Sequence, residues 1–173
     1  SSLGWTWRET NQGQQQLLSR ITINEMEQSF STRALPWTQS RPLALPKQLG
    51  DGVDIELLKQ GLQRLIVCRD VGAVVMFGSR AQGTARADSD LDLAVICQEP
   101  ELTGQQLTER WRTYRKAIGP LGCGVDLVLQ GQADAATLAG SRWHVMKDVA
   151  RHGVVLYACL LYTSDAADEW CGG

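Results

Sequence analysis

Asp90 and Asp92 stand two residues apart at the head of an apolar run, Leu91 to Ile96. Side chains alternate along a strand, so both carboxylates face one side while Leu91 and Leu93 face the other, toward a core. Two carboxylates side by side repel unless something cationic lies between them. A hard divalent cation removes the repulsion, and Mg²⁺ accepts carboxylate and phosphate oxygens together. Asp126 repeats the pattern, with Val125 and Leu127 on either side in another apolar run. An unpaired carboxylate buried in such a run costs several kcal/mol, so Asp126 needs a partner. A neighbouring strand that carries Asp90 and Asp92 supplies one. Three carboxylates from two strands can hold two metal ions, which clamp the entering and leaving oxygens of an in-line displacement.

Gly78-Ser79 follows Ala73–Phe77, an uninterrupted apolar stretch. A glycine there lets the backbone approach a ligand closely. A helix that starts at Ser79 or Arg80 turns its free amides and positive end toward a phosphate. The Ser79 hydroxyl can bond the same oxygens. Arg80 and Arg86 either add charge at this point or are simply solvated. Gly-Ser alone and Asp-x-Asp alone are common; the two at this spacing, with Asp126 behind them, are not. Asp88 is expected only to cap a turn. His144 and His152 have no visible base-and-nucleophile partner and are expected to be surface or satisfied histidines. Trp111 and Tyr114 share a helix face, as packing residues or part of a partner surface.

Residues 53–158 read as α/β elements able to place these groups. Asp54 caps a helix running to about Cys68, with Ile55, Leu58, Leu62, Leu65 and Ile66 as its apolar stripe. Strands are expected at 73–77, 91–96, 125–129 and 154–157. Thr103 or Thr108 starts a helix that stops at Gly119-Pro120. Residues 133–139 and 142–152 are expected to be helical, split by Gly140-Ser141. Residues 1–52 carry clustered glutamines, Pro36, Pro42, Pro46 and unphased tryptophans, the signature of a poorly ordered arm. Met26 offers a start site, and residues 1–25 are on that reading expected to be upstream read-through or a cloning remnant. Residues 159–173 contain a string that resembles a translated sequencing-library transposon adapter, and are expected to be a non-native tail.

The chain has 173 residues, 43% of them hydrophobic, which suits one compact domain. Its net charge of −2 gives no electrostatic footprint for nucleic acid and argues against a template-binding polymerase. No stretch is apolar enough for a membrane span, and the start lacks a signal-peptide pattern, so a cytosolic location is expected. Five cysteines without a C-x-x-C pair argue against a disulfide framework or zinc site, and Cys97 and Cys123 read as small buried hydrophobes.

Phe77-Gly78-Ser79, then Asp90-Leu91-Asp92, then Val125-Asp126-Leu127 resembles the DNA-polymerase-β-like nucleotidyltransferase superfamily. The wording from Gly78 to Leu93 is most similar to the minimal nucleotidyltransferases, and the ending Gly153–Tyr157 resembles theirs. The resemblance spans about residues 53–158. It implies a small mixed sheet with helices packed against it (an α+β arrangement) and transfer of a nucleotidyl group from a nucleoside triphosphate. It further implies Asp90, Asp92 and Asp126 as metal ligands and catalytic groups, with Asp126 helping to deprotonate the acceptor hydroxyl. Gly78 and Ser79, with Arg80, are implied as the triphosphate contacts. Many members are antitoxins that act on, or merely bind, a HEPN-type toxin ribonuclease, and the better-studied ones place AMP on a toxin tyrosine. Mg²⁺, ATP and a HEPN toxin are therefore the implied cofactor, substrate and partner. No base-reading group chooses ATP over other triphosphates. Two alternatives stay open: an antitoxin that neutralises by contact, and an antibiotic-modifying enzyme, which usually needs an added domain.

Overall fold

Val71–Phe77 (β1) is buried along its whole length, because apolar side chains on both of its faces meet helices. The computed structural model describes residues 35–160, and its main compact unit begins at Pro36. Leu91–Cys97 (β2), Val125–Gly131 (β3) and Val154–Ala158 (β4) join β1 in one sheet of order β3-β2-β1-β4. β1 pairs antiparallel with β2 and β4, whereas β2 and β3 are parallel. A parallel pair needs a crossover, and the helix Gly104–Ile118 supplies it. The expected small mixed sheet with helices against it is what the chain forms.

The helices follow in chain order as α1 (Ile55–Ile66), α2 (Gly78–Gln82), α3 (Gly104–Ile118), α4 (Gln132–Ala139) and α5 (Val145–His152). Asp54 caps α1 by accepting from the Leu57 amide at 3.1 Å. Thr103 and Gln106 close a reciprocal capping box at the start of α3. One sheet face presents Val74, Met76, Leu91, Leu93, Val95, Leu127 and Leu129 to Leu58, Leu62 and Leu65 of α1 and to Tyr114 and Ile118 of α3. The alternate residues Ala73, Val75, Ala94 and Ile96 line the other face, where α4 and α5 bury Ala135, Met146 and Val149. Among the described residues, no helix is long and apolar enough to cross a membrane.

Several boundaries differ from the sequence expectation. The stretch read as a poorly ordered arm joins the fold from Pro36. Trp37 is 1% exposed, and Arg41 and Ala158 exchange backbone hydrogen bonds at 2.8 and 3.0 Å. The 1–52 boundary is therefore too late: prolines spoiled the periodicity without preventing edge pairing. At the other end, the Cys159 amide donates to Gly72 O at 2.6 Å and Leu160 is buried, so the fold runs past the expected tail junction. The readings made for residues 1–34 and 161–173 lie outside the described residues. The last helix begins at Val145 rather than 142, because His144 is its cap, its Nδ1 accepting from the Met146 amide at 3.1 Å.

Candidate active site

The parallel register of β2 and β3 sets Asp92 directly opposite Asp126. Neighbouring strands lie about 4.8 Å apart, so the two carboxylates share one face of the sheet. That face is the one α4 and α5 cover further along, and the site lies at its open end. Asp90 sits one residue before β2. The Leu91 amide that follows it donates to Gly124 O at 2.8 Å, which ties the start of β2 to the start of β3. A Cβ built on Gly124 would lie 2.2 Å from Oδ1 of Asp90, so the carboxylate rests on a bare backbone. Sequence reasoning missed Gly124, although its place just before Val125-Asp126 was visible.

Gly78 does the same for Asp92. It turns the chain at φ +74°, and a Cβ there would lie 2.0 Å from Oδ2 of Asp92. β1 thus ends, α2 begins, and the Asp92 carboxylate lies against the junction. α2 starts without a side-chain cap, since Phe77 at its N-cap makes no such bond. Gly83 closes the helix in the left-handed conformation, its amide donating to Ser79 O. The structure therefore brings Gly78, Ser79, Asp90, Asp92 and Asp126 to one end of the sheet.

The burial expected of Asp126 is not found. Asp90 and Asp126 are exposed and Asp92 is half-buried. β3 is an edge strand whose accessibility alternates, so the run around Asp126 is apolar on one side only. Partial burial pushes the Asp92 carboxyl above the usual carboxylate range, and the charges of Asp126 and then Asp90 push it the same way. The three carboxylates are close enough to repel, the condition that a cation relieves.

Arg80 departs from its expected role. It is 2% exposed, and all three guanidinium nitrogens donate to backbone carbonyls of Leu49, Asp51, Arg86 and Ser89. Its donors are taken up in bracing these loops. Its signal was invisible locally, because its acceptors are main-chain atoms of loops. Trp111 is partly exposed and donates its Nε1–H to Leu127 O at 3.1 Å, while Tyr114 is buried as packing.

No curated relative matches the chain. Similar solved structures include a toxin–antitoxin crystallised with AMP-PNP, 22% identical, covering 61% of this chain and 73% of that chain at TM-score 0.39. A Sulfolobus solfataricus protein described as a nucleotidyltransferase is 18% identical, covering 60% and 82% at TM-score 0.41. A mutant of the MntA–HpeT toxin–antitoxin is 20% identical, covering 64% and 71% at TM-score 0.34. The family model "Polymerase beta, Nucleotidyltransferase" matches residues 60–158. That match runs from within α1 to the last residue of β4, over more than half of the chain, and so the protein belongs to the polymerase beta nucleotidyltransferase family.

Proposed function

We propose that the protein is a Mg²⁺-dependent nucleotidyltransferase that moves AMP from ATP onto a hydroxyl of a HEPN-type toxin, and thereby acts as its antitoxin. The observation that carries the chemistry is the register of Asp92 against Asp126, with Gly78 beneath the Asp92 carboxylate. The antitoxin role draws on the resemblance of Gly78–Leu93 to the minimal nucleotidyltransferases.

The donor set fits Mg²⁺. Among the described residues no three acidic, histidine or cysteine side chains form a ready-made cage. Mg²⁺ rarely uses one; it takes one or two carboxylates and completes its shell with substrate phosphates and water. Asp90, Asp92 and Asp126 are the ligands in this reading, for two ions. Bound there, Mg²⁺ would supply positive charge to the triphosphate oxygens as negative charge develops on them. The amides at the start of α2 and the Ser79 hydroxyl hold the triphosphate. The acceptor hydroxyl attacks the α-phosphorus. The bond from that phosphorus to the oxygen bridging to the β-phosphate breaks, and pyrophosphate leaves. The acceptor proton passes to the Asp126 carboxylate.

The test is transfer of label from α-³²P-ATP to the toxin encoded beside this protein. Asp90→Asn and Asp92→Asn are each expected to lower labelling roughly a hundred- to a thousandfold, the scale on which electrostatic stabilisation acts. A wild-type protein that neutralises the toxin but labels nothing would establish the contact-only antitoxin instead.

A further inference from the structure

Arg80 is the one buried charged side chain among the described residues. Burying a guanidinium is costly unless its N–H groups are satisfied. Here no carboxylate of the described residues pairs with it, and main-chain oxygens do the work. Nε and Nη2 both donate to Ser89 O, at 3.1 and 2.7 Å. Nη2 also donates to Arg86 O at 3.3 Å. Nη1 donates to Leu49 O at 2.8 Å and Asp51 O at 2.9 Å. One side chain thus joins its own helix α2, the loop leading into β2, and the Leu49–Gly52 segment.

Asp90 is flanked by two peptide units, and both are tied. The carbonyl before it, Ser89 O, is held by two Arg80 N–H groups. The amide after it, on Leu91, is held by Gly124 O. Ser89 Oγ also accepts from the Arg86 amide at 2.8 Å, closing the turn that Arg80 grips. The outer segment fits around this clamp through glycines with positive φ. A Cβ on Gly52 (φ +97°) would lie 2.0 Å from Ala87 O, and one on Gly50 (φ +78°) would lie 3.4 Å from Arg80 Nη1.

We infer that Arg80 is a positioning residue: it ties the main chain at Leu49 and Asp51 to that at Arg86 and Ser89, and so holds Asp90 where its carboxylate can bind metal. The inference rests on the proposed metal-binding reading of Asp90. Lysine cannot replace arginine here, because a guanidinium directs five N–H groups in a rigid plane while an ammonium offers three on a flexible stem.

The test compares binding of a fluorescent ATP analogue in EDTA with binding in saturating Mn²⁺, for wild type and Arg80→Lys. Wild type is expected to bind more tightly with Mn²⁺. Arg80→Lys is expected to match wild type within twofold in EDTA, where only the α2 end is used, and to lose at least tenfold of the Mn²⁺-dependent gain. In an Asp90→Asn background, Arg80→Lys should cost nothing further. A merely structural arginine would lower the melting temperature and leave that ratio unchanged. Retention of the full Mn²⁺ gain in Arg80→Lys, or losses that multiply with Asp90→Asn, would overturn the inference. Should Arg80→Lys fail to fold by circular dichroism, Gly52→Ala displaces the same loop with Arg80 intact; a folded Gly52→Ala with the full gain also overturns it. A wild type with no Mn²⁺-dependent gain would overturn the metal-binding reading itself, a distinct outcome.

Discussion

Gly78 combines two constraints that no other residue type meets together. Its φ of +74° costs an L-residue about 1–2 kcal/mol, and a Cβ would occupy the space of Asp92 Oδ2. Gly78→Ala is therefore expected to lower stability by about 1–2 kcal/mol in urea melts. It should also displace the Asp92 carboxylate and abolish toxin labelling in protein that is still folded. A Gly78→Ala protein with wild-type labelling would show that the carboxylate does not need its present seat. At this scale the site was legible where the message was local. Gly-Ser after an apolar run and Asp-x-Asp before one are spacings in the chain. The role of Arg80 was not legible, because Leu49 and Ser89 lie 31 and 9 positions away and offer only carbonyls. The exposure of Asp126 was not legible either, since an apolar run does not say which strand will lie at the sheet edge.

The elements were read well where capping and periodicity agreed. Asp54 and Thr103 both start helices by accepting from an amide three residues on. The end of β2 was less visible, because what fixes it is a long-range ion cluster. Arg110 of α3 grips Glu99 with Nη1 and Nη2 at 2.5 Å each and reaches Asp70 with Nε at 3.1 Å. Asp70 precedes β1 and Glu99 follows β2, so the crossover helix is pinned to the end of the hairpin away from the carboxylate site. The Arg110 hydrogen bonds hold the Glu99 carboxyl below its usual range, against the opposing effect of partial burial. A carboxyl with a lowered folded-state value contributes stability above its unfolded value and loses it as pH falls through the folded one. Glu99→Gln is thus expected to cost about 1 kcal/mol at pH 7, a figure kept small by solvent screening of a partly exposed pair. The variant and wild-type curves should begin to converge below about pH 4.3. A pH-independent difference would mean that packing, and not charge, carries the effect.

At the scale of the whole molecule, the sheet needs a cover on its β4 edge, and the residues before α1 provide it. The 3₁₀ turn Pro36–Thr38 packs on β1 and β4, Arg41 bridges to Ala158, and the Ala44 amide donates to Leu156 O at 2.9 Å. The same segment then reaches Leu49 and Asp51, whose carbonyls Arg80 holds. Prolines and a lack of period made this stretch read as an arm, yet its hydrogen bonds need only extended backbone, which proline favours. Trp37 is the anchor, 1% exposed among those edge contacts. Truncating a buried tryptophan removes its transfer energy and leaves a cavity, together about 3–5 kcal/mol. Trp37→Ala is therefore expected to lower the urea midpoint of the whole unit in a single transition. Because the turn that carries Trp37 packs on β1 and β4, labelling per folded molecule should stay within about twofold of wild type. A second, separate transition, or a selective loss of labelling in folded protein, would show instead that the segment folds apart from the sheet or acts directly on the site.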